Sequence, residues 1–221
     1  MIQFDNHAFK GVDEGLRRLA ELQQTMGNAI VSLIRLLEVG VDVVDPQHVV
    51  DAKTIDKTVN AAEQQVDATV ASMINKFTLM GEELRYTLAS IKNAGSLERG
   101  ADKMKNAIKW LGRVEHPLSA ASRQELTSAM AALKAMIPLA LEQLVDDHPE
   151  AANALLAHGA TVQRAYRAIL LQLQTHQSAD HKAALLLVAK NIEQTADCTV
   201  EIMKTCYFVH TGQKYQKNQE K

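Results

Sequence analysis

Several residue types that mark other classes of protein are scarce in this chain of 221 residues. Aromatic residues make up 4% of it, and it contains four prolines, ten glycines and two cysteines. Sheet proteins are enriched in aromatic residues and need frequent turns, so these shortages favour long helices. No segment approaches the roughly 20 uncharged apolar residues of a membrane span. The first ten residues also lack the basic-then-apolar order of a signal peptide. We therefore expect a cytoplasmic, all-α protein without membrane insertion.

The charge balance and the cysteines exclude further classes. A formal net charge of −2 gives no broad electrostatic reason to bind nucleic acid or an anionic membrane. Cys198 and Cys206 lie in one helical pattern, where about 12 Å would separate their backbones, so they cannot form a disulfide within a straight helix. We expect both to be small buried hydrophobes. The 47% of apolar residues is ample for a core.

Six amphipathic helices can be predicted from apolar residues spaced three and four apart and from residues that cap helices. The end signals are a start at Asp45-Pro46, a stop at Gly81, a capping box at Ser122–Glu125, a start at Pro149, and a start at Ser178 with a stop at Gly212. We group these helices into a first three-helix repeat over residues 1–115 and a second over 116–213. A polar tail follows over 214–221.

The two halves share a sequence element, which indicates duplication. Leu97–Asp102 reads LERGAD and Ile192–Asp197, 95 residues later, reads IEQTAD. Each element lies in a long helix preceded by two others. The predicted fold is therefore two tandem three-helix bundles built from six long antiparallel helices.

The acidic pair of the first element predicts a neighbouring cation. Glu98 and Asp102 continue, at helical spacing, the line formed by Leu84, Leu88 and Ile91, so they extend an apolar stripe. Like charges four residues apart destabilise a helix by about 0.2–0.5 kcal/mol, and partial burial adds to that cost. A metal ion or an arginine would offset it.

The second helix carries a matching line of oxygen ligands at Asp56, Asn60, Glu63 and Asp67. Antiparallel packing of the second and third helices would bring Asp56 and Asn60 level with the acidic pair and with Asn106. Oxygen donors of this kind suit Mg²⁺, Ca²⁺, Mn²⁺ or iron, a divalent or trivalent ion, better than zinc.

Two alternatives remain open at this point. The acids could form a solvated face on which Arg99, Lys103 and Lys105 make ordinary surface ion pairs. A carboxylate-bridged metal enzyme would also use such acids, but the chain has no Glu-x-x-His motif of a di-iron bundle and no phosphate-binding or hydrolase motif. The repetition of the acid pair at Glu193 and Asp197 favours a functional site.

The order of these motifs resembles the PhoU family of phosphate-signalling regulators. The first repeat contains an Asp-x-x-Val-Asn element at 56–60, a Glu-Leu-Arg element at 83–85 and a Leu-Glu-Arg-x-x-Asp element at 97–102. The second repeat contains Ile-Glu-x-x-x-Asp at 192–197, followed by Ile202, Tyr207 and Gly212-Gln213. The resemblance extends from roughly residue 10 to residue 213.

The resemblance implies a fold, a role and a set of site residues. PhoU proteins are tandem three-helix bundles, usually homodimers, that bind metal through Glu/Asp-x-x-x-Asp pairs. They act between a phosphate ABC transporter and a sensor histidine kinase, restrain uptake and starvation signalling, and are not enzymes. An accessory subunit of a different phosphate or ion transporter is the alternative. The implied metal ligands are Asp56, Asn60, Glu98, Asp102, Asn106, Glu193 and Asp197, and the implied orienting or charge-neutralising residues are Glu83, Arg85 and Arg99.

The second repeat departs from the family pattern. Gly159-Ala-Thr-Val162-Gln163 stands where an acid, a valine and a second acid are expected, and Gln194 replaces the usual arginine. The sequence therefore predicts a more complete metal site in the first repeat than in the second.

Overall fold

The computed structural model describes residues 10–114, 117–144, 148–174 and 178–216. Its helices are α1 (Lys10–Asp42), α2 (Pro46–Lys76), α3 (Gly81–Leu111), α4 (Ala120–Glu142), α5 (Pro149–Leu173) and α6 (Ala179–Thr211). No strand occurs within these ranges. The prediction of an all-α chain of six long helices is confirmed.

Most of the predicted helix ends have the expected capping geometry. The Asp45 carboxylate accepts a hydrogen bond of 2.8 Å from the backbone N–H of Gln47 at the start of α2. The Ser178 hydroxyl does the same for α6. Gly212 ends α6 in the left-handed conformation, with φ of +70°, which a residue with a Cβ adopts only at a cost.

Two predicted boundaries are wrong by a few residues. Gly81 does not end α2, because α2 stops at Lys76 and Gly81 is the first residue of α3. The box at Ser122 does not begin α4. Ser119 caps that helix by accepting a hydrogen bond of 3.0 Å from the Ser122 N–H. Both errors have the same cause. Near a residue that is suited to a helix end lies another residue that is better placed to pair the free N–H and C=O groups of that end.

Helices α3 and α6 are the most extensively packed pair and join the two halves of the chain. They run antiparallel, and α1 and α2 pack on α3 while α4 and α5 pack on α6. The hydrogen-bonded pairs along this interface are Glu82 with His210, Arg85 with the Val209 carbonyl, Asn93 with Cys206, and the Gly100 carbonyl with Thr195. The repeated acidic elements therefore lie side by side.

His210 ties the end of α6 to two other helices. Its ring nitrogens lie 2.9 Å from Glu82 Oε1 at the start of α3 and 2.9 Å from the Gln143 carbonyl oxygen after α4. The His210 side chain is 6% exposed and that of Glu82 is 36% exposed, so this contact is a partly buried link between the halves.

The apolar stripe predicted on α3 does not face the core. Leu84, Leu88 and Ile91 are 36%, 47% and 43% exposed. The buried face of α3 instead contains many small or polar residues: Thr87, Ala89, Ser90, Asn93, Ala94, Ser96, Gly100 and Ala101. Small side chains allow neighbouring backbones to approach closely on several sides of α3. The premise that the acids extend a buried apolar stripe is therefore wrong.

One apolar core contains buried residues from all six helices. The predicted boundary between residues 115 and 116 lies outside the described residues, and the division into repeats at that point stays a prediction. Cys198 and Cys206 are free thiols; Cys206 is buried and Cys198 half-buried. None of the described helices combines the length and the apolar character needed to cross a membrane.

Candidate metal centre

The interface between α2 and α3 brings together the acids that the sequence predicted to meet. The Lys105 ammonium lies 2.8 Å from Asp56 Oδ2 and 2.9 Å from Asp102 Oδ1. Asp56 is on α2 and Asp102 is on α3, so one lysine bridges the two helices. Asp56 and Asp102 therefore lie close together, as expected, and the Lys105 ammonium lies between their carboxylates.

Glu98 and Glu63 belong to the same cluster. Burial raises the pKa of the Glu98 carboxyl, and the charges of Glu63, Asp102 and Asp56 raise it further, in that order. Gly95 of α3 lies beside Glu63 of α2, since a Cβ built at Gly95 would be in ordinary contact with Glu63 Oε1 at 3.8 Å. The three neighbouring carboxylates thus disfavour the ionisation of Glu98.

The two asparagines predicted as ligands are both at the α2–α3 interface. The Asn106 side-chain amide donates a hydrogen bond of 3.0 Å to Asp102 Oδ2, which leaves its own oxygen for other contacts. The Oδ1 atom of Asn60 is buried and has no hydrogen-bond partner. A buried acceptor without a partner is rare in native proteins and calls for a donor, a water molecule or a cation.

The electrostatics of the cluster are unbalanced. Burial opposes the charge on Lys105, but its hydrogen bonds to Asp56 and Asp102 prevail and raise its pKa. The cluster nevertheless contains four carboxylates, at 56, 63, 98 and 102, around this one ammonium. Such a set of oxygen donors suits a hard cation. In the described part of the chain, however, no three or more His, Cys, Asp and Glu side chains are already arranged to hold a metal ion.

The second acidic pair has a different environment. Glu193 makes an ion pair of 2.5 Å with Lys190, whose ammonium also lies 5.3 Å from the centre of the Tyr166 ring on α5. Asp197 is exposed, and partial burial together with the charge of Glu193 raises its pKa. Gln163 on α5 is exposed, so this helix supplies no carboxylate at that point. The acids of the two repeats form separate sites.

Of the predicted orienting residues, Arg85 lies away from the acid cluster. Arg85 donates from Nε to the Val209 carbonyl, at 2.7 Å, and Glu83 lies in the first turn of α3. Because α3 rises about 1.5 Å per residue, Arg85 is roughly 20 Å from Glu98. Arg99 donates to Ser96 Oγ at 3.0 Å, and its charge opposes the burial that raises the pKa of the Cys198 thiol.

Two members of the cluster were not among the implied metal ligands, although the line of oxygen donors predicted on α2 included Glu63. Glu63 lies seven residues after Asp56, and this spacing of two helical turns was the signal for it. Lys105 had been considered only as a surface partner. Its position three residues after Asp102 on α3 places both side chains on one face.

The fold and the site together define a class of all-α proteins made of tandem helical bundles with a repeated acidic element. No family model matches the chain. It is 27% identical to a phosphate-specific transport system accessory protein PhoU homolog of Rhizobium meliloti, over 97% of this chain and 93% of the relative. A PhoU homolog with the same description from Zymomonas mobilis is 24% identical, over 94% of this chain and 90% of that protein.

Solved structures give the same result for the fold. The crystal structure of PhoU from Pseudomonas aeruginosa matches with a TM-score of 0.82 at 16% identity, over 91% of this chain and 99% of that chain. The phosphate transport system regulatory protein PhoU from Streptococcus pneumoniae matches with a TM-score of 0.76 at 14% identity, over 93% and 99%. The chain is therefore similar to PhoU homologs in sequence over nearly its whole length and similar to solved PhoU structures in fold.

Proposed function

We propose that this protein is an accessory regulator of phosphate-specific transport and has no catalytic activity of its own. The observation that carries the proposal is the full-length similarity to relatives described as accessory proteins of that transport system. The similarity includes both halves of the chain and therefore the interface of α3 and α6 between them. The proposed partners are a phosphate ABC transporter and a sensor histidine kinase in the cytoplasm, and the proposed effect is restraint of uptake and of starvation signalling.

Deletion of the gene in phosphate-replete cells tests this role. Restraint predicts faster uptake of radiolabelled phosphate and expression of a kinase-dependent reporter, and both should return to the starting level when the intact gene is restored. Unchanged phosphate uptake in the deletion strain would contradict the proposal. Changed uptake with an unchanged reporter would support a transporter role without the kinase.

We further propose that the α2–α3 cluster binds a divalent or trivalent metal ion such as Mg²⁺, Ca²⁺, Mn²⁺ or iron. Two features support it: the unpartnered Oδ1 atom of Asn60, and the burial and neighbouring carboxylates that raise the pKa of Glu98. Asp56, Asn60, Glu98 and Asp102 would hold the ion, with Asn106 placed beside Asp102. A bound ion would neutralise the acids and fix α2 against α3.

Metal analysis of purified protein separates this site from the second acid pair. A Glu98→Ala/Asp102→Ala double variant should lose bound metal, while the matched Glu193→Ala/Asp197→Ala variant should lose less, because Lys190 already neutralises Glu193. Equal metal content in wild type and the first variant would remove the proposal. Light scattering of the same samples tests the homodimer that we also propose, and a monomeric mass in solution would contradict it.

A further inference from the structure

A second cluster of charged groups lies at the surface where α3, α6 and the segment after α6 meet. It surrounds a cavity of ≈ 280 Å³ lined by Lys92, Lys204, Thr205, Phe208, Lys214 and Tyr215. The acid cluster described above lies between α2 and α3, and α2 makes no contact with α6 within the described residues. The two sites are therefore separate.

The cavity concentrates positive charge without an internal counter-charge. Its lysines come from three parts of the chain, and none of the lining residues that the structure describes is acidic. Lys204 pairs at 2.7 Å with Glu201, an exposed residue outside the cavity, and the Thr205 hydroxyl donates to the Glu201 carbonyl. Lys92 and Lys214 have no acidic partner among the described residues. Like charges that converge in this way repel one another, and a bound anion would relieve the repulsion.

The remaining walls are aromatic. Phe208 is 37% exposed on α6, one helical turn after Lys204. Tyr215 packs against the apolar core and meets Tyr207 edge to face, with ring centres 5.5 Å apart. The two aromatic rings offer a surface for a planar apolar group. The neighbouring ammonium groups offer hydrogen-bond donors for an anion.

We propose that this cavity binds a nucleoside phosphate, with the phosphate at Lys92 and Lys214 and the base against Phe208. The volume is near the lower end of the roughly 300–1,000 Å³ of small-molecule sites, which suits one nucleotide and not a dinucleotide. Binding at this site is independent of the proposed transport role, because it is a property of the isolated protein. A nucleotide would cross-link α3, α6 and the segment that follows α6.

Calorimetric titration of the full chain with AMP, ADP and ATP tests the proposal, with inorganic phosphate as the comparison anion. Affinity for at least one nucleotide should fall at least about tenfold in a Lys92→Gln/Lys214→Gln variant, since two charge contacts are lost. Phe208→Ala should weaken nucleotide binding about threefold or more through loss of ring contact. Raised salt should weaken binding in wild type.

A Lys53→Gln/Lys76→Gln variant is the matched control. It removes the same charge from exposed positions on α2, and it should bind nucleotide as wild type does. Thermal unfolding of each variant reports whether it is folded. Absence of nucleotide binding in wild type, equal binding in wild type and the Lys92/Lys214 variant, or equal affinity for nucleotide and inorganic phosphate would each overturn the proposal.

Discussion

Replacing Lys105 by glutamine removes the ammonium that bridges Asp56 and Asp102 and keeps a side chain of similar length. The side chains involved are 25%, 13% and 37% exposed, respectively. Breaking a fully buried ion pair costs about 3–5 kcal/mol because one charge is left without a partner. The partial exposure of this group admits water, so we expect a smaller loss of about 1–3 kcal/mol in the free energy of unfolding.

Urea unfolding followed by helical circular dichroism measures this loss, in buffer that contains a chelator. Lys57→Gln is the control, since Lys57 directly follows Asp56 on α2 and is exposed. The control should change the free energy by no more than about 0.5 kcal/mol, as surface substitutions do. The deficit of Lys105→Gln should shrink at low pH, where the carboxylates are protonated.

The same variant tests the link between Lys105 and the proposed metal. Without the ammonium, the carboxylates around it repel more strongly, so added Mn²⁺ or Mg²⁺ should stabilise Lys105→Gln more than wild type. A ligand at 100 times its dissociation constant contributes about 2.7 kcal/mol, enough to offset the expected deficit. A Lys105→Gln protein as stable as the control in chelator would refute the bridging role assigned to Lys105.

Three further perturbations have defined outcomes. Glu98→Gln should stabilise the metal-free protein at neutral pH by about 0.5–1 kcal/mol. The pKa of the Glu98 carboxyl is raised on folding, so this group favours the folded state at low pH and loses that contribution as the pH rises through its folded pKa. The gain in stability from Glu98→Gln should therefore vanish in acid. A gain that persists in acid would indicate an effect on packing. His210→Ala should lower the free energy of unfolding by about 1.5–3 kcal/mol through loss of its two hydrogen bonds, and a thermal shift within error of wild type would rule this out. Burial raises the pKa of Cys206 to about 12 and also raises that of Cys198. Thiol labelling should therefore be slow at both sites and slower at Cys206 until urea unfolds the chain, and equally fast labelling of both would argue against the burial described.

The helices could be predicted from sequence because spacing and caps are local properties. Asp45, Ser178 and Gly212 act through their own backbone geometry and need no tertiary information. The core-facing side of α3 could not be predicted in the same way. Periodicity shows which residues share a face but not which neighbour covers it, and α3 contacts α1, α2 and α6. Many of its buried residues are small or polar, so its apolar leucines at 84 and 88 indicated the wrong face.

For the candidate site, too, the sequence predicted one part and not another. The approach of Asp56 to Asp102 followed from antiparallel packing of adjacent helices, which short connections favour. The bridging position of Lys105 depends on the side-chain direction across the helix interface, and sequence spacing alone does not fix it. Arg85 was assigned to the acids by family pattern, whereas the register of α3 against α6 places it at the Val209 carbonyl.

The pairing of α3 with α6 also governs the order in which this chain can mature during synthesis. Its hydrogen-bonded partners are separated by 95 to 128 residues. The ribosome therefore releases α3 long before α6 exists to cover Asn93 and Gly100. Until then the nascent first half exposes the face of α3 that α6 later covers. Contacts of such long range form late and slow folding, so the last helix sets the time at which the whole molecule becomes resistant to proteolysis.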